Sequence, residues 1–221
     1  MNPARTCGPD LVGERRWPMA LAVIAAVAIT ARLPSAVRPE SRWLVAAIGL
    51  VLLVLIIADP GRIDRSTRSV RLLSRLLLSL LVASAVVSTG LLIHVLVVGG
   101  SLTHDPTRLL LTGGAVWISN DIVFALLYWE LDSGGSVARA VHPPAYPDLA
   151  FPQHMNPQLA PPDWRPMFID YLYLGVTNAL AFSPTDVMPL VPWAKITMGL
   201  QSLVSVAILG LVIARAVNIL H

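Results

Sequence analysis

Long apolar runs separated by short polar segments organise this chain. Predominantly apolar runs cover residues 17–31, 43–58, 76–100, 109–131 and 192–220, and a shorter run covers 167–182. A bilayer core of ~30 Å needs roughly 20 apolar residues per helix. The pattern predicts an all-α integral membrane protein with three regions. Four N-terminal transmembrane helices occupy 1–131, a proline-rich surface loop occupies 132–166, and a channel-like helical hairpin occupies 167–221.

The composition agrees with the apolar pattern. Hydrophobic residues make up 55% of the 221 positions and charged residues 13%, whereas soluble chains carry about 25% charged residues. Arg15 and Arg16 before the first run also fit a cleaved signal peptide. We find no small-x-small cleavage site before Pro34, and several apolar runs follow. We therefore predict a multi-pass protein of the inner (plasma) membrane, with the lipid bilayer as a partner.

Candidate chemistry for an enzyme or a metal site is sparse. The single cysteine, Cys7, excludes an intramolecular disulfide, and no two of the five histidines are four residues apart. The net charge of +3 comes mostly from arginines that flank the apolar runs, which is typical of membrane proteins and not of nucleic-acid binding. We find no paired carboxylates, activated nucleophile or phosphate loop. The sequence predicts no enzyme activity, no metal and no cofactor.

The connection from 132 to 166, called the flap below, contains a cluster of prolines. They occupy positions 143, 144, 147, 152, 157, 161, 162 and 166. Proline removes a backbone donor and disfavours regular helix, so we predict a stiff, irregular loop on the membrane surface. Tyr146, Phe151 and Trp164 are candidates for anchoring it at the headgroups. A binding role for the flap is the alternative.

Two polar residues, Asn120 and Asp121, interrupt the fourth run near its middle. An acid at this depth costs at least ~2.5 to 3.5 kcal/mol on insertion scales, and such residues are functional by default. The candidate partners are His94 on the third run and Asn178 or Thr177 on the short run. Asp121 is either a proton or cation site or a buried structural acid that fixes the fourth helix to its neighbours.

The stretch "YLYLGVTNALAFSPTDVMPL" (171–190) is an apolar helix that stops at "SPTD" before the next apolar run begins. Two interpretations fit. In the first, a half-helix and a re-entrant loop enter the membrane and return, which irregular backbone does only where protein or a water-filled cavity surrounds it. In the second, the run crosses a thin bilayer as a sixth span and "SPTDVMPLVP" is an ordinary turn.

Residues 170 to 217 resemble, without a gap, the pore module of prokaryotic potassium channels. The matching positions are Asp170, Leu172, Tyr173, Asp186, Pro189, Pro192, Ala194, Lys195 and "IARAV" (213–217). The phrases "FALLYWELDSGG" and "TNALAFSPTD" also resemble an uncharacterised group of bacterial channel-like membrane proteins. The resemblance implies a pore helix carrying Tyr173, Thr177 and Asn178, a filter segment, and an inner helix.

The filter segment departs from the potassium-channel pattern. By position it comprises Ala181, Phe182, Ser183, Pro184, Thr185 and Asp186, with no glycine. A potassium filter directs consecutive backbone carbonyls at the ion, in a backbone conformation that glycine permits and Pro184 opposes. The resemblance therefore implies an ion channel that conducts inorganic cations with poor or lost potassium selectivity. It also implies a homo-oligomer, with a tetramer as one form, because one loop cannot enclose a filter.

Polar residues on the last run admit two interpretations. Gln201, Ser205 and Arg215 form one stripe with Ser202 beside it, and a pore would place this stripe towards its lumen. Otherwise Gln201 and the serines form interhelical hydrogen bonds worth about 0.6 to 2 kcal/mol each. The alternative to a channel is a non-conducting helical membrane scaffold or sensor that retains the hairpin.

The arginine distribution and the channel resemblance predict different orientations. A re-entrant hairpin oriented as in a channel places the flap and the N-terminus outside and His221 inside. A six-span chain places the N-terminus, the arginine-rich segment 62–75, the flap and the C-terminus inside, as the excess of basic residues on the cytoplasmic side of membrane proteins favours. We favour the re-entrant arrangement because the match over 170–217 is more specific than a charge count.

Overall fold

The computed structural model describes residues 17–39, 47–48, 51, 68–141, 145–162, 164–181 and 186–220. Before the flap, the described residues include α1 (Trp17–Arg32), α2 (Arg68–Val98) and α3 (Pro106–Leu131), with a 3₁₀ turn at Ser101–His104. The predicted second run, 43–58, lies almost entirely outside the described residues.

The flap and the hairpin follow. Within the flap, the chain forms a 3₁₀ turn (Asp132–Gly134), α4 (Ser136–Val141), β1 (Leu149–Ala150), α5 (Pro152–Met155) and a second 3₁₀ turn (Pro157–Leu159). The hairpin comprises α6 (Phe168–Ala181), β2 (Met188–Pro189) and α7 (Pro192–Leu220). β1 and β2 pair antiparallel, with Leu149 opposite Pro189 and Ala150 opposite Met188.

Three described helical segments are long and apolar enough to cross a membrane: Arg71–Val98, Pro106–Gly134 and Pro192–Ile219. The protein is therefore an all-α membrane protein. Only two of these segments precede the flap, so the described residues do not provide the four N-terminal spans that we predicted. α1 has 16 residues, about 24 Å of helix, which is shorter than a hydrocarbon core of ~30 Å.

Helix α2 begins within the arginine-rich segment, earlier than the apolar run predicted. Arg71 and Arg75 therefore belong to its first turns, where long basic side chains suit the headgroup region. At the other end of the molecule, Asp105 caps α3 and fixes its start. The Asp105 carboxylate accepts the backbone N–H groups of Thr107 (3.0 Å) and Arg108 (3.1 Å), and Pro106 occupies the first helical position.

Helix α3 lies at the centre of the bundle and packs against α1, α2, α6 and α7. Buried apolar clusters follow one another along its length. The cluster beside the flap contains Tyr128, Leu149, Tyr171, Ala194 and Met198. The next cluster contains Met19, Leu77, Val123, Leu126 and Phe168. The third contains Leu33, Val37, Leu92, Leu102, Leu109, Ile208 and Val212.

The order of these clusters shows the direction in which the helices run. We call the end near the flap the flap end and the end near the 99–107 turn the opposite end. Among the long helices that the structure describes, α1, α2, α6 and α7 begin towards the flap end, whereas α3 runs towards it. Gly113 permits the close approach of α3 and α7, because a Cβ there would lie 2.6 Å from Val212 Cγ2.

Candidate functional site

The two hairpin helices begin at the same end of the molecule. Near the start of α6, the Tyr171 hydroxyl donates to the Asp132 carboxylate in the flap (2.5 Å). At the start of α7, Trp193 Nε1 donates to Asp148 Oδ2, also in the flap (3.1 Å). Deeper in the bundle, Ser205 Oγ on α7 donates to the carbonyl of Ala179 near the end of α6 (2.8 Å). α6 and α7 therefore run side by side in the same direction.

The chain is back at the flap end before α7 begins. β2 pairs with β1 of the flap, and Leu190 N–H donates to the Asp148 carbonyl (2.9 Å). From Phe168 to Ala179, α6 advances about 16 Å away from this end. The direction of the chain thus reverses between Ala181 and Met188. A sixth span would have placed the start of α7 at the opposite end, so the contacts of Trp193 and Leu190 contradict that alternative.

Of the predicted filter, only Ala181 and Asp186 are among the described residues. Phe182, Ser183, Pro184 and Thr185 lie outside the described residues, so their filter role stays a prediction. Ala181 is the last residue of α6, and Asp186 is exposed.

Gln201 is the centre of the polar contacts between α3, α6 and α7. Its side-chain oxygen accepts hydrogen bonds from the Tyr128 hydroxyl (2.7 Å) and from Asn178 Nδ2 (2.8 Å). Its Nε2 donates to the Gly175 carbonyl (2.9 Å) and to Asp121 Oδ1 (3.3 Å). Because the side chain is 2% exposed, its amide oxygen and nitrogen are satisfied within one chain, as a buried amide requires.

Like Gln201, Ser205 makes its hydrogen bonds within its own chain. Trp117 Nε1 donates to its hydroxyl (2.5 Å), and the residue is 3% exposed. Ser202 makes a longer contact with Asn178 Oδ1 (3.3 Å). For Gln201 and Ser205, the geometry fits the interhelical hydrogen-bond interpretation and not a lumen-facing stripe. Arg215 lies apart, at the opposite end, with Nη2 3.5 Å from the position that a Cβ on Gly99 would occupy.

The predicted surroundings of Asp121 are partly corrected. His94 is exposed on α2, so the expected His94 pairing is wrong, and Asn178 reaches Asp121 only through Gln201. The Thr177 hydroxyl bonds within its own helix, to the carbonyls of Tyr173 and Leu174. The second oxygen of Asp121, Oδ2, is buried without a hydrogen-bond partner among the described residues.

Asn120 faces a different helix from its neighbour. Its Nδ2 donates to Thr89 Oγ1 on α2 (2.8 Å). Tyr173, the remaining residue predicted for the pore helix, is 57% exposed on α6. The polar residues of the fourth run therefore hold α3 against both α2 and α7, and Tyr173 is available to lipid or to a second copy of the chain.

A second polar centre, Asp132, attaches the flap. Besides Tyr171, its carboxylate accepts the Ser133 hydroxyl (2.8 Å) and the Leu149 N–H (3.4 Å). Arg139 Nη1 donates to the Asp132 carbonyl (2.6 Å), and the guanidinium lies 5.0 Å from the centre of the Tyr171 ring. Asp132 is 1% exposed. Asp132 thereby joins the end of α3 to α6 and to two segments of the flap, the one with Ser133 and Arg139 and the one with Leu149.

The motif "LDSGG" builds this attachment through its backbone. Ser133, Gly134 and Gly135 have φ angles of 53°, 80° and 98°, a left-handed region that glycine occupies at little cost. A Cβ on Gly135 would lie 3.0 Å from the Glu130 carbonyl oxygen. The two glycines of the motif therefore have a local steric reason, which the sequence analysis did not identify.

The flap is more regular than its prolines suggested. Pro152 and Pro157 occupy the first turns of α5 and of a 3₁₀ turn, because proline at a helix start loses no hydrogen bond. Tyr146 is 86% exposed, as a headgroup anchor would be, but Phe151 is 3% exposed and packs against Tyr171 and Trp164. Phe151 thus fastens the flap to the bundle and does not anchor it in lipid.

Within the described part of the chain, no group of three or more His, Cys, Asp or Glu side chains could hold a metal ion. Comparison with protein-family models, curated proteins and solved structures finds no match. The features of the molecule that bear on function are therefore the hairpin geometry and the residues that the two polar centres hold in place.

Proposed function

We propose that this chain is a channel-like protein of the plasma membrane that conducts small cations as a homo-oligomer, with poor discrimination between potassium and sodium. One observation carries the proposal: α6 and α7 begin at the same end of the molecule, with a chain reversal between them. A half-helix that stops within the bilayer exposes polar backbone there. Such backbone is tolerated at that depth only beside protein or a water-filled cavity.

The chemistry of the hairpin favours cations. The last carbonyl groups of a helix carry partial negative charge, and the end of α6 directs them into the membrane. Asp186 lies after the reversal and is exposed, so several copies around one axis would add negative charge at the mouth. Rings of carboxylates are typical of cation channels. Without filter glycines, we expect little selectivity among monovalent cations.

An oligomer supplies the enclosure that one hairpin lacks. α6 presents Ile169, Tyr173 and Leu180 at its surface, and α7 presents Leu200 and Leu203, each about half exposed or more. These apolar side chains suit contact with lipid or with a neighbouring copy. A ring of copies that buries the α6 face would bring several 181–186 segments around a common axis.

One observation favours the alternative of a non-conducting scaffold. Gln201 and Ser205 are buried among partners on their own chain. The inner helix therefore offers those polar groups to helix packing and not to an ion. Under the channel proposal, the ion must instead be met by the segment around Asp186 and by the exposed face of α6.

Ion flux into liposomes that contain the purified protein distinguishes the two. We expect potassium and sodium flux above that of empty liposomes, lowered several-fold by Asp186→Asn. Asp105→Asn is the matched control, because it removes the same charge at the opposite end and asparagine also caps a helix well. Flux indifferent to Asp186→Asn, or no flux in any monovalent salt, supports the scaffold.

A further inference from the structure

Basic residues are unequally distributed between the two ends of the bundle. Six described ones lie at the flap end: Arg68, Arg71, Arg75, Arg139, Arg165 and Lys195. Four lie at the opposite end: Arg32, Arg38, Arg108 and Arg215. Among the described residues, the flap end therefore has six basic residues against four.

The count of basic residues at each end has meaning because the structure gives the direction of the described helices. From the sequence alone, the flap and the C-terminus could share a side, and the arginines then supported a six-span chain. The contacts of Trp193 and of Val212 place the two ends of α7 at opposite ends of the bundle. The bias in Lys and Arg therefore separates two defined faces of one molecule.

The helix N-termini also favour an anionic surface at the flap end. Of the described helices long enough to cross a membrane, α3 begins at the opposite end with the Asp105 carboxylate as its cap. In contrast, α2 and α7 begin at the flap end without an acidic residue in the first turn, and α2 begins with Arg68 and Arg71. Cations beside a helix N-terminus are unfavourable in isolation. The phosphates of an anionic leaflet offset this, at about 1 kcal/mol for each basic residue near the surface.

The carboxylates at the flap end do not cancel the effect of its basic residues on orientation. Asp132 is buried and accepts hydrogen bonds from the flap itself, and Asp148 accepts them from Ser133 and Trp193. Orientation follows the number of Lys and Arg residues in short connections, to which Asp and Glu contribute little.

We propose that the flap end faces the cytoplasm, against the anionic headgroups of that leaflet. α6 then enters the membrane from the cytoplasmic side and α7 ends outside. This hairpin is inverted relative to the orientation that the potassium-channel resemblance implied. The orientation does not depend on whether the hairpin conducts ions, and the liposome assay does not depend on orientation. The two proposals therefore fail independently.

Two single cysteines in a Cys7→Ser background test the orientation in intact cells. Gln158→Cys is exposed in the flap, and Thr107→Cys is exposed at the opposite end, where only the backbone of Thr107 is used by the Asp105 cap. We expect a membrane-impermeant thiol reagent to label Thr107→Cys at once, and Gln158→Cys only after the membrane is permeabilised. Labelling of Gln158→Cys in intact cells, equal labelling of both sites, or protection of Thr107→Cys overturns the proposal.

Replacing Arg68, Arg71 and Arg75 together with glutamine then tests the cause. Loss of three basic residues reduces the bias between the two faces, so we expect a fraction of the Gln158→Cys protein to become labelled in intact cells. Replacing Arg32, Arg38 and Arg108 is the control, since it increases the bias. An unchanged labelling pattern in the first triple variant would show that these arginines do not set the orientation.

Discussion

Gln201 and Asp132 are both buried polar centres, but they lie in different surroundings and hold different things together. Gln201 is deep in the bundle and uses a neutral amide to join α3, α6 and α7. Asp132 is at the flap end and uses a carboxylate to join the flap to α6. Three of the four Gln201 contacts are with side chains, and the fourth is with the Gly175 carbonyl. The Asp132 carboxylate accepts a backbone N–H, and the Asp132 carbonyl accepts a hydrogen bond from Arg139.

The difference follows from the cost of charge at each depth. An amide with its donors and acceptors satisfied is tolerated in a low-dielectric core, whereas a charged group there needs a partner. Near the headgroup region, a carboxylate that accepts an O–H and an N–H and lies close to a guanidinium is affordable. The hairpin is thus held at depth by a network centred on a neutral amide and at its base by one centred on a carboxylate.

Gln201→Ala is expected to have the largest effect on stability. It leaves Tyr128, Asn178 and Asp121 without their shared partner, and interhelical hydrogen bonds in membranes contribute about 0.6 to 1.7 kcal/mol each. We expect a loss of several kcal/mol, measured as a lower midpoint for SDS-induced unfolding. Ser202→Ala, which removes only longer contacts, should change the midpoint little. Equal effects would contradict the central role of Gln201.

Asp132→Ala should release the flap while leaving the bundle folded. It removes acceptors from Tyr171 and Leu149 and leaves Arg139 without its acidic neighbour. Hydrogen bonds to charged groups contribute about 1.5 to 3 kcal/mol. We expect faster proteolysis within 145–162 at an unchanged helix content by circular dichroism. Tyr171→Phe, which removes one hydrogen bond, should give an intermediate rate.

If both variants instead unfold the bundle together, the two centres form one cooperative unit. Their distinct roles would then be wrong.

Gly113→Ala tests whether close packing matters as much as the polar network. The added methyl group would overlap Val212, with Cγ2 at 2.6 Å and Cβ at 3.3 Å, so α3 and α7 must move apart. Overpacking of this kind costs about 1 to 3 kcal/mol. Gly114→Ala is the matched control, since a Cβ there meets nothing within 4 Å. A Gly113→Ala midpoint equal to that of Gly114→Ala would show that the interface adapts.

A smaller, pH-dependent effect is expected at His154 in the flap. Partial burial of the ring lowers the pKa of His154 below its ordinary value of 6.5, against the opposing charge of Asp132, although much of the residue is exposed. The attached flap therefore favours the neutral ring, whose Nδ1 accepts the Phe151 N–H (3.2 Å). Its contribution is present above pH 6.5 and is lost as the pH falls below that value. Proteolysis of the flap should accelerate over this range, and His154→Gln should flatten the dependence.

The apolar pattern was enough to locate most helices, because a bilayer demands long uncharged runs. α1 and α7 match the predicted runs 17–31 and 192–220 closely. α2 was predicted to begin at residue 76 and begins at Arg68. Helix formation continues through the arginines since their apolar stems accompany the helix into the headgroups, which a search for uncharged residues does not detect.

The contacts that attach the hairpin could not be predicted from the sequence. Gln201 and Asp121 are far apart along the chain, and no periodicity indicates which amide meets which carboxylate. The β1–β2 pair has two residues in each strand and includes Pro189, so it lacks the alternation that predicts strands. The charge pattern was visible, but its meaning depended on which helix ends share a face. The contacts of Trp193 and Val212 supplied that information.

The β1–β2 pair also sets an order for assembly during synthesis. Leu149 and Ala150 acquire their partners only once Met188 and Pro189 have emerged, by which time α6 has left the ribosome. The Trp193 contact with Asp148 comes later still. These contacts can therefore form only after α6 has been synthesised, and they complete an attachment that Asp132 and Phe151 begin at Tyr171.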